Sequence, residues 1–338
     1  MYKIMGQNMK FKKHILHTFI LLVLMLSITA ISAADLNDTD NTAGDVLTEM
    51  DSEDESFMYF QTQMEIQDST FDLKYNYKFD NESDLTYAGG INVTKDNFII
   101  NGNNHVIDCD NQARALTITG KNVVINNLTI KNGYYHFGSA INSKSKLKLN
   151  NVTIINCTCT PNSNYCAVYI NNNTLIANNC KFIDNAGNQG ASITAYYSTV
   201  KLTNSTFISN SDAILKGHIY LYMTNATIDN CDFLNTTSKY AAAIFANDKV
   251  KLDISNSRFK NLHANKTAGA IAAKQITSLS ISDSEFDNDT SENNGGAIFV
   301  DADGDLNKKN PMNTTITTTT FNNCYSGFGG QFFNWAET

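Results

Sequence analysis

A short apolar-centred segment recurs along most of this chain and limits what it can fold into more than any other feature. NLTIKN (127–132), NVTIIN (151–156), NCKFIDN (179–185), NSTFISN (204–210), NCDFLN (230–235), NSRFKN (256–261), DSEFDN (283–288) and TTTFNN (318–323) align around one central residue. That residue is Ile130, Ile154, Phe182, Phe207, Phe233, Phe259, Phe286 and Phe321, at intervals of 24, 28, 25, 26, 26, 27 and 35. The one long interval holds the polar stretch 301–313, a natural loop insertion. A second column follows about ten residues later in each unit, as GSAI (138–141), CAV (166–168), GASI (190–193), AAAIF (241–245), GAIAA (269–273), GGAIF (295–299) and GGQFF (329–333). The units are short alternating runs rich in Thr, Val, Ile and Phe, and proline occurs only at 161 and 311, which excludes helical solenoids. A period near 26 predicts a coil of three short strands, stacked with parallel neighbours about 4.8 Å apart. Parallel crossovers favour the right hand. The expected fold is all-β, a right-handed parallel β-helix (solenoid) of about ten coils over residues 91–338.

Each column then has a structural task. The Phe column points inward and stacks from coil to coil. Asn lies three residues before it in six of eight coils, with Asp283 and Thr318 in the others, and two residues after it in six of eight, with Asp184 and Ser209 as exceptions. Asn tolerates left-handed turns and forms amide ladders along a stack. The Gly-Ala column supplies a sharp turn followed by a small inward residue. These repeated residues are therefore read as framework, not as a site.

The segment before the repeats is of a different kind. Residues 1–34 have a basic start, an apolar run from Ile15 to Ile28 and small residues at Ser32, Ala33 and Ala34, the pattern of a secretory signal peptide, with an uncleaved anchor as the alternative. No later run is apolar enough to span a bilayer, so no membrane span is expected after signal cleavage. Residues 35–56 form an acidic linker, with nine Asp or Glu and no base, and are expected to be disordered. Residues 57–90 read as an N-terminal cap. Phe57, Phe60 and Met64 share a helical face, and Phe71 to Phe79 alternates as one strand. A solenoid needs such a cover over its first open edge.

The formal net charge is −8, and removing residues 1–34, with their four lysines and no acids, leaves −12. With only Arg114 and Arg258 as arginines, this argues against a nucleic-acid partner. Seven cysteines (109, 157, 159, 166, 180, 231 and 324) leave at least one thiol over. Cys157, Cys159 and Cys166 could pair around one loop, while Cys180 and Cys231 read as buried thiols.

The repeats GGAI (295–298), FIDN (182–185) and FISN (207–210) resemble those of chlamydial polymorphic outer-membrane proteins. The segment KDNFIINGNNHVIDCDNQARALTITGKNVVINNLTIKNG (95–133) is closer to methanogen adhesin-like surface proteins. The resemblance covers roughly residues 57–338. It implies an exported, pectin-lyase-like β-helix at a cell surface, secreted or displayed, with glycans or surface proteins of other cells as partners. Such proteins often continue into further modules, so this chain, stopping at GGQFFNWAET, is expected to be truncated at its C-terminus.

No catalytic constellation emerges from the sequence. Hydrolases of this fold need clustered aspartates with a Gly-His-Gly, and lyases need Arg or Lys beside calcium-holding carboxylates. Arg114 lies in an early coil, and Arg258, beside the Phe column and expected to point outward, has no acidic cluster in its own segment. Asp301, Asp303 and Asp305 alternate in DADGD (301–305), where they form either a calcium site or a solvated acidic loop. The histidines show no paired metal spacing, and no cofactor other than calcium is expected. Aromatic pairs give a third lead: Tyr134 with Tyr135, Tyr196 with Tyr197, and Tyr220 with Tyr222. The last two lie opposite Ile219, Leu221 and Met223. Outward tyrosines stack on sugar rings or pack across strands. Thirteen Asn-x-Ser/Thr sequons, at 37, 81, 92, 127, 151, 156, 172, 204, 225, 235, 265, 288 and 313, could carry glycans. The expected function is a non-catalytic, adhesin-like contact with glycans or cell surfaces. A polysaccharide lyase or hydrolase and a structural stalk are the alternatives.

Overall fold

The computed structural model describes residues 54–338, apart from 162, 210–213, 302–312, 329 and 336–338, with the backbone alone for 333–335. These residues belong to one compact unit, 51–338. The expected signal peptide and most of the expected linker, and Asp303 and Asp305, lie outside the described residues.

The chain winds as a parallel β-solenoid with three sheets. The first runs from strand Thr70–Asp72 to Asn313–Thr317, the second from Tyr77–Lys78 to Thr320–Asn322, and the third from Ile91–Val93 to Phe332–Trp335, with ten strands on each path. Two extra strands, Thr290–Asn294 and Tyr325–Phe328, extend the second sheet off its path. Each coil visits the first, second and third sheets in turn, so residues about 26 apart become neighbours.

Register puts the Phe column in line. Phe182, Phe207, Phe233, Phe259, Phe286 and Phe321 are successive partners in the second sheet. Their rings stack nearly parallel at 4.5–4.9 Å. The turn from the first to the second sheet is a single left-handed residue. Asn127, Asn151, Asn179, Asn204, Asn230, Asn256, Asp283 and Thr318 occupy it with φ between 46° and 53°. The Asn amides bridge coils, Asn151 Nδ2 donating to Asn127 Oδ1 at 2.9 Å and Asn230 Nδ2 to Asn204 Oδ1 at 2.6 Å.

Helix α1, Phe57–Glu65, is the only α-helix among the described residues. The Ser56 hydroxyl accepts from Tyr59 N at 3.1 Å, and the buried Asp84 carboxylate accepts from Phe57 N and Met58 N, both at 2.9 Å. These bonds satisfy amides that a helix start leaves free. Phe60 packs edge-on against Phe71 and Tyr77, closing the first coil. Residues 71–79 form two strands rather than one. Tyr75 is exposed at the turn between Thr70–Asp72 and Tyr77–Lys78, which start the first and second sheets. Both strands thus belong to the solenoid.

Cys159 and Cys166 form a disulfide. Cys109, Cys157, Cys180, Cys231 and Cys324 are free and buried. Burial pushes Cys180 up to about 11, and Cys157, Cys231 and Cys324 up to about 12, so they behave as apolar filler.

Candidate functional site

Strands of the third sheet alternate inward aliphatic with outward residues, and the outward positions fall into two columns. One reads Asn142, Tyr169, Thr194, Tyr220, Phe245, Ala272 and Phe299. The other reads Asn171, Tyr196, Tyr222, Asn247, Lys274 and Asp301. Rings that lie a coil apart in sequence are thereby brought into contact.

A chain of ring contacts runs along this face. Phe137 meets Tyr169 at 5.6 Å, and Tyr165 stacks on Tyr169 at 5.2 Å and meets Tyr196 at 5.2 Å. Tyr196 meets Tyr222 at 5.3 Å and Tyr220 at 5.7 Å, Tyr197 meets Tyr222 at 5.6 Å, and Tyr220 stacks on Phe245 at 5.8 Å. Tyr165 is held by the loop that the Cys159–Cys166 disulfide closes. Glycine is required beneath that bond at 187, where a Cβ would strike Cys166 Sγ.

Exposure divides the face. Phe137 is 39% and Tyr197 52% exposed, and Tyr165, Tyr169, Tyr196 and Tyr222 are half-buried. Tyr220 at 4%, with Phe245 and Phe299 at 5%, is covered and joins Ala241, Ala268 and Ala272 in a small apolar cluster on the outside of the sheet. Tyr220 therefore packs rather than offering a free ring. The Tyr196 hydroxyl donates to Gln189 Oε1 at 2.7 Å, which fixes the ring's edge, and burial holds the phenol well above its ordinary pKa range.

Lysines top the covered half. Lys216 Nζ lies 5.2 Å from the Tyr220 ring centroid and 5.1 Å from that of Phe245, and Lys274 Nζ lies 5.7 Å from that of Phe299. Lys239 and Lys266 flank Tyr240 at 5.6 and 5.9 Å.

The remaining sequence candidates fall elsewhere. Tyr134 pairs with Thr158 in a separate two-stranded ladder with Tyr135 and takes no part in the chain of rings. Tyr135 covers the Arg114 guanidinium at 4.2 Å. Arg114 is engaged with oxygens: Nε donates to Gly138 O (2.9 Å), Nη1 to Gly89 O (2.9 Å) and Thr117 Oγ1 (2.8 Å), and Nη2 to Phe137 O (2.7 Å). Burial draws it down to about 10, so it stays charged at neutral pH and ties coils together. Arg258 is exposed and holds Asp232 through two bonds, at 2.7 and 2.9 Å. Asp232 and Glu285 flank it on the adjacent coils, so its acidic neighbours come from other units and not from its own segment. Asp301 ends strand Ile298–Asp301 and pairs with Lys274 at 3.6 Å. Met223, expected on the inward face beside Leu221, instead sits at the following turn with φ 48°.

Phe137, Tyr165, Tyr169, Tyr240, Phe245 and the lysines join this face although they were not among the sequence candidates. The signal for two of them was present. Extending the CAV and AAAIF segments by register with GHIY (217–220) places Tyr169, Tyr220 and Phe245 in one column.

No helix of the described residues is long and apolar enough to cross a membrane. No family model and no curated protein sequence matches the chain. Among solved structures it is similar to the periplasmic alginate epimerase AlgG, at 9% identity and a TM-score of 0.34, over 80% of this chain and 78% of that one. A likeness this distant carries none of that enzyme's chemistry over to this chain.

Proposed function

We propose that this protein is a secreted or surface-displayed, adhesin-like module whose third-sheet face binds glycan chains without cleaving them. The carrying observation is the row of half-open rings, Tyr169, Tyr196 and Tyr222, one per coil on adjacent strands. Coils rise about 4.8 Å, close to the advance of one sugar in an extended polysaccharide, so a glycan lying along the solenoid axis keeps step with the rings. Aromatic faces offer a sugar a rigid apolar platform at low entropic cost. Arg114 and Arg258 are held by carbonyl oxygens and by Asp232, so neither arginine is free to act as a lyase's base, which favours binding over chemistry. Other cells carrying such chains on their surfaces are the proposed partners.

The test is retention of the purified chain on a panel of immobilised polysaccharides, with and without calcium, while reducing and unsaturated ends are assayed. Retention without products, weakened at least about tenfold by Tyr196→Ala with Tyr222→Ala, is expected. Product release would overturn the non-catalytic reading. Absence of retention on every polymer would leave a stalk or a protein partner. Retention only with calcium would point to the 301–305 segment.

A further inference from the structure

The covered half of the face has a charge pattern that its packing does not explain. The chain carries 33 acids against 25 bases, yet among the described residues no carboxylate lies within ion-pair distance of Lys216, Lys239 or Lys266. Their contacts are instead ring faces, Tyr220 and Phe245 for Lys216 and Tyr240 for the other two. Lys274 joins them from the far end of its strand, over Phe299 and paired with Asp301 at 3.6 Å. Lys216 is half-buried and pushed below its ordinary value, first by burial and then by the charge of Lys274, so two ammonium groups converge here and Asp301 pairs with Lys274. A cation set on an aromatic ring has lost part of its hydration, and where no described carboxylate stands beside it an incoming anion supplies the counter-charge. The four lysines come from three consecutive coils, beside Tyr169 and Tyr196 on the two preceding coils and Tyr222 on the coil of Lys216, so one extended ligand spans both halves.

We propose that this lysine-topped half recognises the anionic groups, carboxylate or sulfate, of an acidic polysaccharide whose sugar rings lie on Tyr169, Tyr196 and Tyr222. This rests on the glycan-binding reading above and adds the class of glycan. Stacking fixes the polymer's path, and Lys216 and Lys274 select the charge it carries.

The experiment compares matched polymers by affinity electrophoresis of the full chain: polygalacturonate against its methyl ester, dextran sulfate against dextran, and inorganic polyphosphate as a charged chain without sugars. The charged member of at least one sugar pair is expected to bind more tightly than its neutral partner. Lys216→Gln with Lys274→Gln should weaken it about tenfold, the size of one charge-assisted contact, with little effect on the neutral one. About 1 M salt, where the screening length is about 3 Å, should remove the preference. Which pair responds separates carboxylate from sulfate. Equal binding within both pairs, insensitive to the lysine variants, sinks the anionic preference but leaves glycan binding standing. Binding of polyphosphate as tight as that of the acidic sugars also sinks it, since bare charge would then suffice. Loss of binding to every polymer would be failure of the glycan reading itself. Far-ultraviolet circular dichroism of the Lys-to-Gln protein verifies that the fold is kept.

Discussion

His218 stands in an inward column that Ala140, Ala167, Ser192, Ala243, Ala270 and Ala297 occupy in other coils. It is fully buried, with Nδ1 3.0 Å from Ser192 Oγ and Nε2 2.9 Å from Thr236 Oγ1. Burial depresses it to about 3. Unfolded, it would take up a proton near its ordinary pKa of about 6.5. Its contribution to stability is therefore complete above about 6.5 and is lost as pH falls toward 3, on the order of 5 kcal/mol by linkage. Asp289 has the opposite sign. Its Oδ1 accepts from Leu262 N at 3.0 Å, its Oδ2 is buried without a partner, and burial holds the carboxyl well above the ordinary range. Folding thus favours its protonated form, whose benefit is complete below about 3.9 and is lost as pH rises above that value. Denaturant melts across pH should show His218→Gln losing the acid-side slope and Asp289→Asn gaining stability at neutral pH. An Asp289→Asn protein less stable than its parent at pH 7 would mean the carboxylate is ionised and bound.

At the scale of elements, the turn between the first and second sheets is built from a left-handed residue that also bridges coils. Asn151 has φ 53°, donates to Asn127 Oδ1 at 2.9 Å and accepts from Asn179 Nδ2 at 2.5 Å. Alanine there would adopt a backbone that costs an L-residue about 1–2 kcal/mol and would lose both amide bonds. Glycine would lose only the bonds. Asn151→Ala is thus expected to lower stability more than Asn151→Gly in thermal unfolding, and equal losses would place the value of the residue in the ladder alone. The third sheet likewise depends on position along the strand. Its outward rings depend on strand register, since Tyr196 and Tyr222 are direct partners while Tyr197, one residue on, enters the left-handed turn with φ 51°. One residue of slip would turn the row of tyrosines inward.

The whole solenoid is a stack in which each coil rests on the next, so coils should be removable as units. Ser255 and Ser282 are register partners, and Asn256 and Asp283 open equivalent turns with φ 49° and 48°. Excising residues 256–282 would join Ser255 to Asp283 and bring Phe233 beneath Phe286. The shortened chain is expected to keep its β-rich circular dichroism and cooperative melt, and to retain glycan through the tyrosines of earlier coils. It would have lost Lys266 and Lys274, so its preference for acidic polymers should fall. A molten product would show that the coils are not interchangeable.

The sequence by itself determined the coil. Strand alternation, the left-handed Asn turns and the stacked Phe column are set within one repeat, and repetition in phase makes each local preference agree with the next. Hence the parallel solenoid, the buried Cys180 and Cys231 and the capping face of Phe57, Phe60 and Met64 were all legible. Tertiary structure decided what meets between coils. Three cysteines close in sequence could pair in more than one way, and strand geometry sent Cys157 inward and left Cys159 to Cys166. Three tyrosine pairs looked alike, yet Tyr134 lies off the third sheet, Tyr135 serves Arg114, Tyr220 is covered, and Tyr196, Tyr197 and Tyr222 meet with Tyr165 and Tyr169. Arg258 found its acids on neighbouring coils. The reason is physical: a coil's outward side chains are unconstrained by their own repeat, and their partners, some 26 residues away, are assigned only when the coils stack in register.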